Sequence, residues 1–348
     1  MKMNQLETEK AVGRLLCHDI TKIEKGIYKG ALYKKGHRIS GDDVEKLLNL
    51  GKKHIYVLEL EDGDLHEDDA GLRIASALAG PGLTISKPSE GRVNLLAREA
   101  GLFKIDVTRL FRINCITDVV VSTLHDNSPV NRNDLLVGAK VIPLVVNDST
   151  VSEVERICSE GLPPARVLPY LSFKVGSVIT GREVYEGRIK DGFAPILKEK
   201  LSNFDLEAPL VRYCNDDAGQ ITAEIQDLIN RGCEMIIVTG GMSVDPDDVS
   251  PTGIKNTGAE IIKYGAPALP GAMFMLAYKG DIPLIGLPAC GMYFKNTVLD
   301  IILPRIMAGQ KVSASEIAAL GHGGLCRRCE TCVFPNCSFG KGGFSDAL

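Results

Sequence analysis

A chain of 348 residues, 45% hydrophobic and 24% charged, is long enough for two or three domains, each with its own core. Its net charge of −4 excludes a global attraction to nucleic acid or an anionic membrane surface, and its longest apolar runs, such as residues 141–146, are too short to span a bilayer. The polar start, Met1-Lys-Met-Asn-Gln-Leu-Glu, lacks the apolar core of a secretory signal, so a cytoplasmic location is expected.

Residues 1–160 read as an α+β region of one or two small lobes. Short strands punctuated by glycine are expected at 26–30, 54–58, 119–123 and 141–146, with helices at 42–48 and 67–78. His66 opens the second helix among acids; a solvated helix start is the default reading and a ligand pair with Glu67 the alternative. Arg92, Arg98, Arg112 and Arg132 read as surface charges that could also supply phosphate contacts. Two prolines within 159–164 predict a linker.

From 173 to 309, strands and helices alternate. Strands are expected at 174–180, 210–213, 235–239 and 282–287. Helices are expected at 193–201, at 220–231 with Ile221, Ile225 and Leu228 on one face, and at 296–307. Such alternation predicts a mostly parallel sheet covered on both sides, an α/β/α sandwich of three layers. After residue 309 the chain turns small, polar and glycine-rich, a composition unlike core.

Cysteine usage is uneven. Cys17, Cys115, Cys158, Cys214, Cys233 and Cys290 stand singly in apolar contexts and read as small buried thiols. Cys326, Cys329, Cys332 and Cys337 crowd into twelve residues, which argues for metal over a disulfide framework. That density suits an iron–sulfur cluster or a tetrahedral Zn2+, with Arg327 and Arg328 offsetting thiolate charge. The run resembles the bacterial ferredoxin signature, with its last gap one residue longer and Pro335 before the fourth cysteine. A disordered, reduced tail is the alternative.

The chemistry gathers at strand ends. The run 235–239 opens into Gly240-Gly241-Met242-Ser243, followed by the acids Asp245, Asp247 and Asp248. Glycines there let the backbone approach an anion, and Ser243 adds a hydroxyl donor. Three acids beside a phosphate make sense where a divalent cation shares the site. A plain strand-to-turn connection, with Ser250 capping a short helix before Pro251, is the competing reading. Glu183, the pair Asp216 and Asp217, and the segment 287–291 follow other strands of the same sheet. Convergence of four loops at one sheet edge is how such folds build a site.

In order and spacing these segments resemble the molybdopterin-binding domain of the molybdopterin molybdenumtransferases. Thr180-Gly181-Arg182-Glu183 is similar to that family's Thr-Gly-x-Glu, Asn215-Asp216-Asp217 to its paired aspartates, and Thr239-Gly240-Gly241-Met242-Ser243 to its glycine loop. Asp248 falls on the aspartate that closes the loop. Pro267-Ala268-Leu269-Pro270 resembles the family's Pro-Gly-Lys-Pro turn, and Gly286-Leu287-Pro288 the start of its last loop. The sequence departs from the pattern at Asp245, Leu269 and Ala289-Cys290.

The resemblance implies binding of molybdopterin or its AMP adduct. It implies use of Mg2+, insertion of molybdate or tungstate, and a homodimer. Glu183, Asp217 and Asp248 would position the cation or a water. Gly240, Gly241 and Ser243 would hold the terminal phosphate. Thr180, Gly181, Thr239, Pro267, Pro270, Gly286 and Pro288 would complete the cofactor site. A non-catalytic carrier or redox sensor that docks a molybdoenzyme is a second expectation, and a nucleotide hydrolase on the same fold a third.

Overall fold

The computed structural model describes residues 2–24, 28–89, 91–243, 245 and 248–342. Two apolar cores form before residue 170. The first gathers Leu16, Ile20, Ile39, Leu47, Ile55 and Val57 beneath a small antiparallel sheet of Lys2–Glu7, His54–Glu59 and Leu15–Leu16. Beside it, helix Gly41–Asn49 starts with a capping box in which Ser40 and Asp43 satisfy each other's backbone groups. The second core packs helices Glu67–Leu78 and Asp148–Cys158 against antiparallel strands that include Val93–Ala97, Val119–Thr123 and Leu135–Val141.

Several expectations change here. The expected strand at 141–146 divides, because one strand ends at Val141 and the next begins at Val145, with Pro143 in the bend between them. Gly26 and Ile27 lie outside the described residues, and the strand there runs Tyr28–Tyr33. The turn at 159–164 joins a helix to strand Ala165–Pro169, which pairs with Gly101–Ile105 in the same lobe. His66 is not solvated: it is 1% exposed. Its Nδ1 accepts from the Asp68 N–H, and its Nε2 lies 2.9 Å from the Gly36 carbonyl, so the ring is a buried helix cap with the proton on Nε2.

The remainder is an α/β sandwich. In chain order it comprises β1 (Val175–Thr180), α1 (Arg182–Tyr185), α2 (Phe193–Ser202), β2 (Leu210–Cys214) and α3 (Ala218–Asn230). Next come β3 (Met235–Thr239), α4 (Ser250–Asn256), β4 (Glu260–Tyr264), β5 (Met275–Lys279) and β6 (Ile282–Leu287). The chain then adds α5 (Cys290–Tyr293), α6 (Val298–Met307) and α7 (Ala314–Ala319). The sheet order is β2-β1-β3-β6-β5-β4; the first four strands are mutually parallel, β5 runs antiparallel to β6, and β4 runs antiparallel to β5 and so in the direction of the first four.

Strand alternation builds both faces. Met235 and Ile237 of β3 pack with α2 and α6, whereas Ile236 and Val238 pack with α3 and α4. The segment after 309 is not all surface: Val312, Ile317, Leu320 and Phe339 join the first of these cores. Of the six scattered thiols, Cys158, Cys214 and Cys233 are buried, while Cys17 and Cys290 are half-buried and Cys115 is exposed. No helix among the described residues is long and apolar enough to cross a membrane.

Candidate functional site at the β1 and β3 strand ends

From β1 the chain crosses to β2 on one side, then returns through α3 to β3 on the other side of β1. The carboxyl ends of β1 and β3 therefore face a crevice between diverging connections, the preferred ligand position in open α/β sheets. Thr180 closes β1 and Thr239 closes β3, with Ile179 paired to Thr239. Both threonines are buried, and neither hydroxyl oxygen has a hydrogen-bond partner among the described residues.

Over Thr180 lies the glycine loop. Gly240 and Gly241 have φ of 85° and 55°, in the left-handed region. A Cβ on Gly240 would lie 2.6 Å from the Thr180 carbonyl oxygen and 2.7 Å from its hydroxyl; one on Gly241 would lie 2.9 Å from Ser250 Oγ. Both conformation and space demand glycine. Ser250 does not cap α4. Its buried hydroxyl donates to the Gly240 carbonyl at 2.8 Å, and its N–H donates to the Gly241 carbonyl at 3.1 Å.

The far side of the loop is held by Asp248 and Tyr264. One Asp248 carboxylate oxygen accepts from the Ser243 N–H at 2.8 Å and the Asp245 N–H at 3.3 Å. The Tyr264 hydroxyl donates to the Met242 carbonyl at 3.0 Å; burial and the nearby Asp248 charge push that phenol upward. Val244, Pro246 and Asp247 lie outside the described residues. The sequence reading took Ser250 only as a helix cap and passed over Tyr264. The signal for a loop-pinning role of Ser250 was its position two residues past Asp248, and Tyr264 stands in a strand that no apolar run announced.

The neighbouring loops differ in what their acids do. Asp216 accepts from the Arg182 N–H at 3.1 Å, tying the loop after β2 to the loop after β1. Asp217 caps α3, accepting from the Gln220 N–H at 2.8 Å. Glu183 is exposed on α1, two residues after Gly181, and its carbonyl accepts from the Arg188 and Ile189 N–H groups. Beyond β3, Met242 of the glycine loop packs against Gly286 of β6. Pro288 begins the turn into α5, its carbonyl accepting from the Gly291 N–H, and burial pushes the Cys290 thiol up.

Pro267 and Pro270 form a turn against which the tail docks. The Leu269 N–H donates to the Gly324 carbonyl at 2.7 Å, and the Cys326 N–H to the Leu269 carbonyl at 2.9 Å. Cys326 and Cys337 are half-buried; Cys329 and Cys332 are exposed. Among the described residues, no three His, Cys, Asp or Glu side chains converge as a metal-ligand group, either at the acids or at the tail cysteines.

These contacts link Thr180, Thr239, Gly240, Gly241, Ser243, Asp248 and Ser250 into one rim, with Asp216 and Gly181 at the adjoining loop. Asp217 faces its own helix. The glycine cradle and the partnerless threonine hydroxyls fit a phosphate-bearing ligand. A Mg2+ fits less fully, since Asp217 and Asp248 each commit an oxygen to backbone N–H groups. A cleft of about 810 Å3 lined by His125, Pro129, Arg305, Phe334 and Phe339 contains none of these residues. Cavity size is a poor guide to a phosphate nest, which is an open arrangement of N–H groups, so the loop geometry carries the assignment.

Residues 176–308 match the family model described as a probable molybdopterin binding domain, and residues 5–59 match a domain of unknown function. A CinA-like protein of Mycolicibacterium vanbaalenii is 32% identical over 80 residues, covering 23% of this chain and 19% of that protein. A CinA-like protein of Mycobacterium sp. is 30% identical over 93 residues, 26% of this chain and 22% of that one. The chain thus spans about a fifth of the length of the curated relatives it matches. Among solved structures, the molybdopterin biosynthesis enzyme MoaB of Thermus thermophilus aligns with a TM-score of 0.33 and 17% identity, over 40% of this chain and 98% of that one. The molybdopterin biosynthesis Mog protein of Mycobacterium ulcerans aligns with a TM-score of 0.33 and 16% identity, over 42% and 100%.

Proposed function

We propose, on the premise of the molybdopterin-binding domain carried by residues 176–308, that this chain binds adenylylated molybdopterin at the β1 and β3 strand ends and loads molybdate or tungstate onto it. The observation that carries the reading is the glycine cradle, Gly240-Gly241 seated on Thr180 and pinned by Ser250. N–H groups of that loop and the Ser243 hydroxyl take the terminal phosphate. Thr180 and Thr239 supply hydroxyls from beneath. Pro267, Pro270, Gly286 and Pro288 border the pterin side, and Gly181 lets Glu183 approach from the loop after β1.

Phosphate beside Asp248, Asp216 and Glu183 is repelled unless a cation intervenes. Mg2+ keeps most of its waters and needs few carboxylates, so Glu183, Asp217 and Asp248 would each contribute at most one oxygen. A bound Mg2+ would supply positive charge beside the phosphates, and Glu183, Asp217 and Asp248 would hold it or orient a water toward the AMP-pyrophosphate link. A homodimer in the cytoplasm that hands its product to a molybdoenzyme belongs to the same proposal.

The test is incubation with adenylylated molybdopterin, molybdate and Mg2+. AMP release that falls in Asp248→Ala supports loading. Tight binding without AMP release reduces the chain to a carrier. A nucleotide hydrolase on the same fold is the alternative, and hydrolysis of nucleotides without any pterin requirement would replace the first reading by that one.

A further inference from the structure

The four tail cysteines lie on a loop closed at both ends. Leu325 bridges Leu269, and the adjoining Cys326 and Gly324 exchange backbone bonds with the same residue. At the other end Phe339 is 3% exposed in the sandwich core, its ring 6.1 Å from that of Phe334, and the Gly340 N–H donates to the Gly323 carbonyl at 3.0 Å. Residues 326–339 thus leave and return to one place.

Between those anchors the loop has no helix or strand, and from 327 to 337 one backbone–backbone bond is formed among the described residues, Asn336 N–H to Val333 carbonyl. Cys329, Cys332 and Val333 are exposed. Cys326, Phe334 and Cys337 pack against the sandwich core, but across the stretch 327–333 little burial and few hydrogen bonds offset the entropy of ordering. Small segments of this kind are ordinarily held by disulfides or metal. No disulfide is present.

The surroundings suit thiolates. Asn296 donates its amide to Cys332 Sγ at 2.9 Å. Arg328 adopts a left-handed φ of 52° between the first two cysteines, and its guanidinium lies 5.0 Å over Phe294. The Asn296 amide suits a thiolate at Cys332, as outer-shell donors do around metal thiolates, and Arg327 and Arg328 stand between the first two cysteines in sequence.

We propose that Cys326, Cys329, Cys332 and Cys337 form a four-thiolate centre for a soft metal, whose binding closes the loop over the Pro267–Pro270 turn. In this structure the thiols do not yet converge; ligand assembly and loop closure are coupled to the metal, as in other small thiolate sites.

The full chain, purified without oxygen, is assayed for iron, acid-labile sulfide and zinc, then reconstituted with iron plus sulfide in one arm and Zn2+ in the other. One centre per chain is expected, coloured and sulfide-containing for a cluster, colourless for zinc. Cys329→Ser and Cys332→Ser reduce it to background, and Cys115→Ser leaves it intact. Asn296→Ala weakens metal affinity about tenfold. Should the serine variants misfold, alkylation of native Cys329 and Cys332 replaces them: slow with metal, fast after chelation. Background metal in both arms, or alkylation indifferent to metal, overturns the proposal. None of these readouts involves pterin, so the outcome is separable from that of the loading assay.

Discussion

At the residue scale, the site depends on groups that leave no room for substitution. Gly241→Ala meets both a positive φ and Ser250, so it should weaken pterin binding at least about tenfold, or ~1.4 kcal/mol, in a fluorescence titration. Ser250→Ala removes one hydrogen bond to the loop and should cost about 1 kcal/mol of stability. A second cluster sits in the N-terminal lobe. Asp43 is 6% exposed; burial pushes its carboxyl up, but bonds from the Ser40 backbone, His37, the Ser40 hydroxyl and Tyr33 outweigh this and hold it well below the usual range. A carboxyl depressed in the folded state contributes fully above the ordinary value near ~3.9 and loses its contribution as pH falls through the folded one. Denaturant melts of the wild type should therefore weaken below about pH 4. Asp43→Asn should be less stable near neutrality by roughly 1–3 kcal/mol and flatter in acid. Equal acid slopes in the two proteins would remove this account.

At the element scale, legibility followed burial. The runs 235–239 and 282–287 are apolar on both faces because both faces are covered, and the structure gives these strands with those bounds. The edge strand Glu260–Tyr264 alternates weakly and has one covered neighbour, so no apolar run marks it. The glycine loop was readable by its residue types. The division of labour between Asp216 and Asp217 was not, since one N–H at Arg182 and another at Gln220 decide it. His66 misled for a related reason: acids after it suggested solvent, while its buried bond to the distant Gly36 is a tertiary fact. The tail misled by composition, because Val312, Ile317, Leu320 and Phe339, spaced among small and polar residues, suffice to dock it. Phe339→Ala should cost about 3–5 kcal/mol in thermal or denaturant unfolding of the sandwich. A change below about 1 kcal/mol would mean that the tail is not part of that core.

At the scale of the whole molecule, separate cores predict separate melting. The clusters around Leu47, around Ile74 and on the two faces of the sheet share no members. Calorimetry should resolve more than one transition. A pterin ligand at a hundred times its Kd should raise only the sandwich transition, by ~2.7 kcal/mol of stabilisation. A single transition that moves as a unit would show that the lobes unfold together.

The two silent hydroxyls under the glycine loop have a spectroscopic consequence. Thr180 and Thr239 are shut away from bulk water, so their hydroxyl protons should trade slowly with deuterium and stand out in a proton spectrum. An arriving anion would change their magnetic surroundings before any chemistry begins. The strand ends thus carry a native reporter of occupancy, needing neither label nor turnover.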